Sequence, residues 1–136
     1  MAKFVLKSPQ VTINAVDLSD HVESVTVNYS AEIKEQTSSS DATKTKLPGL
    51  LDWSMDVAFR QDFAAGSVDA TLFPLVGAAA FAVTTRATSA AKAATNPSYE
   101  GNALLATYPP MGGKVGDLAT TTIKLEGSGA LSRVVV

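Results

Sequence analysis

The sequence contains no cysteine and only one histidine. Without thiols, neither a disulfide framework nor a thiolate metal site can form, and cysteine usage gives no clue to the redox compartment. A single histidine also removes most nucleophile–base schemes, in which an imidazole commonly takes the proton. Charge is sparse as well. Eleven basic and 13 acidic side chains give a formal net charge of -2, too small for a basic nucleic-acid surface or an acidic solvating tail. No long apolar run is present. The most apolar stretch, residues 72–83, is broken by Pro74 and Gly77 and falls short of the ~20 residues a membrane-spanning helix needs. Residues 1–7 carry neither a long apolar segment nor a cleavage site, so a secretory signal is not expected and the reading is of a soluble protein folded in a cytoplasm.

What the chain does have is apolar content, 46% of 136 residues. That excludes disorder throughout and suffices for one independently folded domain, expected to cover residues 1–136. The dominant pattern is period-two alternation, the mark of strands with one buried face. Val25, Val27, Tyr29, Ala31 and Ile33 alternate with polar neighbours, as do Leu51, Trp53, Met55, Val57 and Phe59. These patterns predict strands over residues 25–34 and 51–60. Further strands are expected over 11–16, 80–88, 103–108, 118–126 and 131–135. One short helix is expected after Gly66, with Ser67 as its N-cap and Asp69 in its first turn. Val68, Leu72 and Leu75 fall on one helical face, Pro74 forces an end near Phe73, and Gly77 suits a C-terminal stop. The alanine-rich stretch 87–98 reads as a connection.

Residues 36–49 lie between the two best strands and are polar, small and without periodicity, which predicts a hairpin with a long flexible tip. Most hairpin loops have about two to five residues, so a longer one in a compact domain points to function. It includes Thr37, Ser38, Ser39, Ser40, Asp41, Thr43, Lys44 and Lys46.

No catalytic constellation emerges, and no cofactor or metal is expected. His21, beside Asp20, reads as a turn residue, with no sign in the sequence of partners for a metal site or a Ser-His-Asp triad. Asp52 and Asp56 share a strand face, but two strand repeats separate them by roughly 13 Å, too far to share a proton or an ion. Glu32 and Glu35 fall on opposite faces. Gly112-Gly113-Lys114-Val115-Gly116-Asp117 lacks phosphate-loop spacing and leads into a strand, so it reads as a hairpin turn. Lys44 and Lys46 beside Asp41 make a weak patch, better read as a solvated loop than a phosphate contact.

The order of features resembles the tail tube proteins of long, non-contractile-tailed bacteriophages. The likeness is carried by Val25-Thr26-Val27-Asn28-Tyr29 before the loop and Leu50-Leu51-Asp52-Trp53-Ser54-Met55-Asp56-Val57 after it. It continues through Asp69-Ala70-Thr71-Leu72-Phe73-Pro74-Leu75-Val76-Gly77, Asn96-Pro97-Ser98-Tyr99-Glu100-Gly101, and Val115-Gly116-Asp117 leading into residues 120–125. The resemblance implies a mainly β fold, a β-sandwich or partly rolled barrel with one flanking helix. It implies hexameric rings that stack into a hollow tube around a tape-measure protein, closed by tail terminator and tail tip proteins. DNA would cross the lumen without specific binding, and assembly would take place in a bacterial cytoplasm.

On that footing the loop 36–49 would reach the adjacent ring, and Asn28, Ser30, Glu32, Asp52, Ser54 and Asp56 would face the lumen. An acidic wall there would repel phosphate, although Lys34 and Arg60 dilute it. With nothing after the last strand, no outer projection is expected on the tube. The alternatives are a tail-completion or head–tail connector ring, a ring of the secretion systems related to contractile tails, and a β-sandwich binding module. The last would want an exposed aromatic platform, whereas Trp53 sits on the apolar face. Deleting residues 37–46 should leave a folded subunit unable to stack.

Overall fold

Alternation over residues 22–35 and 46–60 forms the two longest strands of the chain. The computed structural model describes residues 3–136. The strands are β1 (Gln10–Ile13), β2 (Val16–Asp17), β3 (Val22–Glu35), β4 (Lys46–Arg60), β5 (Phe81–Arg86), β6 (Ser98–Leu105), β7 (Thr120–Gly127) and β8 (Ser132–Val134), with one helix, α1 (Val68–Leu72), between β4 and β5. All pairings between these strands are antiparallel, in the order β2-β1-β5-β6-β7-β4-β3, with β8 also joined to β6. The fold is therefore mainly β with one short helix, as expected.

The sheet rolls over its own apolar face. Val11 and Ile13 near one end share a hydrophobic cluster with Met55, Val57, Ile123 and Leu125 from the other half, and Val25 and Val27 of the edge strand pack against it. A flat sheet could not bring those strands to one core. Val68, Leu72 and Leu75 seal part of the roll. The helix ends as its residues dictate: Pro74 allows only a 3-10 turn over Phe73–Leu75, and Gly77 follows with φ of 76°.

Three expectations need correction. The strand expected over 11–16 is a small hairpin, because Asn14 and Ala15 turn the chain with positive φ. The strand expected over 103–108 begins at Ser98 instead, paired with β5 on one side and with β7 and β8 on the other. The glycine-rich segment 112–117 is not a tight hairpin turn but part of an exposed connection, residues 106–119, anchored by hydrogen bonds. Thr121 Oγ1 donates to the Pro109 carbonyl at 2.8 Å, and Gln61 Nε2 donates to Tyr108 Oη and the Pro110 carbonyl at 2.8 and 2.7 Å.

Trp53 shows why two strand glycines are where they are. Its indole is 3% exposed and its Nε1–H donates to the Gly129 carbonyl at 3.1 Å. It lies flat over the backbone of Gly101 and Gly127, where a β-carbon would come within 2.6 and 2.4 Å of the ring.

Candidate assembly interface

The β3–β4 ladder continues well past the point where the sheet stops supporting it. β7 pairs with β4 only from Ser54 to Arg60, yet β3 and β4 pair on to Glu35 opposite Lys46. Every residue from 28 to 52 is exposed. The distal half of the hairpin is thus a two-stranded arm standing free of the body, with about 23 Å of β4 beyond Trp53.

The flexible tip expected over residues 36–49 is both shorter and more ordered than that. Lys46, Leu47, Pro48 and Gly49 belong to β4, and Lys46 is a strand residue, not a loop residue. Pro48 is tolerated because it sits beside a register shift between Ala31 and Ile33, where a missing N–H breaks no regular ladder bond. Gly49 accommodates the neighbouring strand there, since a β-carbon would lie 3.2 Å from the Glu32 carbonyl. The remaining loop, 36–45, is closed by hydrogen bonds. Gln36 N–H donates to the Thr45 carbonyl at 2.8 Å, and Thr45 N–H to Thr37 Oγ1 at 3.0 Å. Asp41 accepts from Ser38 N–H at 2.9 Å. Ser39, Ser40, Thr43 and Lys44 are exposed around it.

The arm is not uniformly polar. Tyr29 lies opposite Trp53 and Ala31 opposite Leu51, so the core face of the hairpin runs on with nothing over it. On that face Tyr29, Ile33 and Leu51 are 57 to 64% exposed; Leu50 falls at the register shift, and Leu47, paired with Lys34, lies on the opposite face. An isolated two-stranded hairpin is marginal in water, and such an apolar surface marks an interaction site.

The opposite face gathers the six polar residues picked out by alternation. Asn28 pairs with Ser54 and Ser30 with Asp52, Asp56 follows across from Thr26, and Glu32 continues the row. None is buried. Asn28 Nδ2 donates to Asp56 Oδ2 at 3.1 Å, and Lys34 pairs with Glu32. Sequence reasoning missed the share of β7: register places Lys124 across from Asp56 and Glu126 across from Ser54, and those two side chains pair at 3.4 Å. Alternation over Thr120, Thr122, Lys124 and Glu126 was the available signal. The face is a mixed-charge surface with a small acidic excess.

Catalytic-type side chains meet at one place, and their geometry is structural. His21 Nε2 lies 2.9 Å from Asp62 Oδ2 and 3.2 Å from Ser67 Oγ, and the Ser67 hydroxyl donates to Asp62 at 2.8 Å. A serine triad needs one imidazole nitrogen for the serine and the other for the carboxylate. Here Nε2 faces both, and Nδ1 is buried without a hydrogen-bond partner. The acidic partner of His21 is therefore Asp62, far along the chain, rather than Asp20. Ser67 holds the N-cap position of α1, but its hydroxyl is turned to Asp62 instead of capping. The cluster staples the turn before β3 to the start of the helix. Among the described residues no group of His, Asp or Glu is placed to hold a metal, and no helix is long and apolar enough to cross a membrane.

The hydrogen bond from Ala64 N–H, then those from Ser67 and His21, hold Asp62 below the ordinary carboxylate range. Asp17, through Ser19, and Glu100, through Lys92, are lowered in the same direction. A depressed carboxylate stabilises the fold fully above its unfolded value, 3.8 for aspartate, and loses that contribution as pH falls through the lower folded value. Thermal midpoints measured from pH 7 to 3 should therefore drop at the acid end. In Asp62→Asn the midpoint should be lower at pH 7 and the acid drop shallower. An acid drop as steep in that variant as in the unaltered chain would remove Asp62 from the account.

Neither a described protein family nor a curated protein matches this sequence. Solved structures do. A chain from the virion of a native gene transfer agent particle superposes with a TM-score of 0.75 at 14% identity, covering 97% of this chain and 99% of that one. A chain from the sheath/tube terminator of an extracellular contractile injection system, in the extended state, gives 0.73 at 13% identity, covering 98% and 97%. A chain from the tail of an empty gene transfer agent particle, with C6 symmetry, gives 0.64 at 14% identity, covering 84% and 82%. At these identities the shared property is the fold, a tail-tube-like one found in components of phage-like particles.

Proposed function

We propose that the chain is a structural subunit of a phage-like tail tube. Six copies close into a ring, and rings stack into a hollow conduit for DNA. The observation that carries this is the arm: residues 28–52 stand exposed with apolar side chains along a sheet face, an arrangement that only a partner can cover. Among the described residues no strand pairs with the outer edge of β3, and joining such edges around a ring satisfies them while ring stacking extends the assembly. The polar face of β3, β4 and β7 then lines the lumen. Its carboxylates are answered by Lys124, Arg60 and Lys34, so it neither binds phosphate strongly nor repels it strongly. The tape-measure, terminator and tip proteins are its partners within a virion tail. Sequence pattern favours a long non-contractile tail. The fold occurs in both a gene transfer agent tail and a contractile injection system, so the proposal rests on the tube and not on the sheath.

The likeness to a sheath/tube terminator supports a second reading, a completion ring that ends a tail. Negative-stain electron microscopy of the purified chain at high concentration separates them. Hollow tubes with a regular axial repeat are expected, and isolated rings that never lengthen would move the assignment to the completion ring.

A further inference from the structure

Uncovered apolar surface lies at both ends of β4. One patch is the arm, at the Lys46 end. The other lies beyond Arg60, where Phe63, Met111 and Leu118 are 61, 82 and 68% exposed and a groove opens between Gln61, Phe63, Met111 and Ala119. The groove is held in shape by the Gln61 hydrogen bonds to Tyr108 and Pro110 and by Gln61 N–H donating to the Ala119 carbonyl at 3.0 Å.

We infer that this groove is the socket for the arm of the next copy along the tube, with Ile33 and Leu51 of one subunit, which share the arm's uncovered core face, entering between Phe63 and Met111 of another. The inference rests on the tube reading above and names the surface that receives the arm.

Three observations favour a second copy as occupant. The lengths match: the supported part of β4, Trp53 to Arg60, is about 26 Å long and the arm beyond it about 23 Å, so an axial neighbour stacked along the strand direction puts its base over this arm. The two surfaces lie at opposite ends of one subunit, which is the arrangement that makes an open, heterologous contact rather than a closed pair. Charge permits the contact. The arm's Lys34, Lys44 and Lys46 are offset by Glu32, Glu35 and Asp41, and the connection beside the groove carries Lys114 with Asp117, so neither surface brings an uncompensated field to the other.

The absence of native cysteine makes the test direct. The double variant Leu51→Cys, Met111→Cys is assembled and mildly oxidised, then run on a denaturing non-reducing gel, with each single variant in parallel. Both positions are highly exposed, 64 and 82%, so folding is unaffected. The expected result is an open-ended ladder reaching well beyond six subunits in the double variant and no ladder in the single ones. Three outcomes overturn the inference. Tubes visible by microscopy without a ladder would leave the tube reading standing but place the arm elsewhere. A ladder that stops at a closed ring would make the contact lateral rather than axial. Failure of the unaltered chain to form any ring or tube would remove both the tube reading and the socket. As a second readout, Met111→Asp should shorten or abolish tubes with an unchanged melting midpoint. Tubes of normal length from that variant would also overturn the socket.

Discussion

Gly127→Ala should cost the fold about 1–3 kcal/mol or more, the range for forcing an extra carbon into a packed core. A methyl there would fall 2.4 to 2.5 Å from three atoms of the Trp53 indole. Those atoms belong to the rigid body of the ring, not to a flexible end that could swing aside. The ring cannot retreat easily, because it is buried and its Nε1–H is held by the Gly129 carbonyl. Gly101→Ala should behave similarly, with 2.6 Å to the other edge of the ring. Urea unfolding followed by circular dichroism measures the loss. The physical cause is separable in a double-mutant cycle: in a Trp53→Leu background the smaller side chain leaves room, so adding Gly127→Ala should cost far less than in the parent. An equal cost in both backgrounds would mean that the glycine is needed for its backbone and not for the indole above it.

The same pair of residues shows what the sequence could and could not disclose. Trp53 was placed on a buried strand face by alternation alone, and that face is where it lies. The need for glycine at 101 and 127 was not legible, because nothing local reveals that an aromatic ring from another strand crosses them. β6 was misplaced for a related reason. Its first residues, Ser98-Tyr99-Glu100-Gly101-Asn102, bury a serine and put a glycine on the core face, so the apolar beat that identifies a strand is missing. The arm was underestimated because Pro48-Gly49 is a strong turn signal in isolation, and only the register shift opposite Ala31 and Ile33 lets both residues continue a strand. Of the candidate surfaces, the six polar residues of the hairpin were legible because period two fixes which side chains share a face. The contributions of Lys124 and Glu126 depended on β7 being the neighbour of β4, and pairing partners are not written in a strand's own pattern. The His21–Asp62–Ser67 staple was invisible for the same reason: its members are far apart in sequence and meet only when the sheet rolls.

Replacing residues 31–51 with Asn-Gly, so that the paired Ser30 and Asp52 are joined by a tight turn, should abolish tubes while leaving the subunit folded. The substitution suits the site, since Asn-Gly favours the type I′ turn whose twist matches two antiparallel strands. The removed segment makes no contribution to the hydrophobic cluster and is exposed along its whole length. Its loss should therefore move unfolding free energy by no more than about 0.5 kcal/mol, the scale of surface changes, and should improve solubility by deleting four large exposed apolar side chains, Ile33, Leu47, Leu50 and Leu51. Thermal unfolding and electron microscopy of the same preparation read the two halves of the prediction. A variant that melts far below the parent would show that the arm supports the body, contrary to its exposure. Normal tubes from a stably folded variant would show that stacking runs through another surface. Mixing gives a further consequence. An armless subunit keeps its groove, so it can still receive the arm of an intact copy but offers nothing to the next. Added at increasing ratio to intact chain, it should cap growth at one end and shorten tubes in proportion to its fraction, whereas a subunit that merely misfolds would leave tube length unchanged.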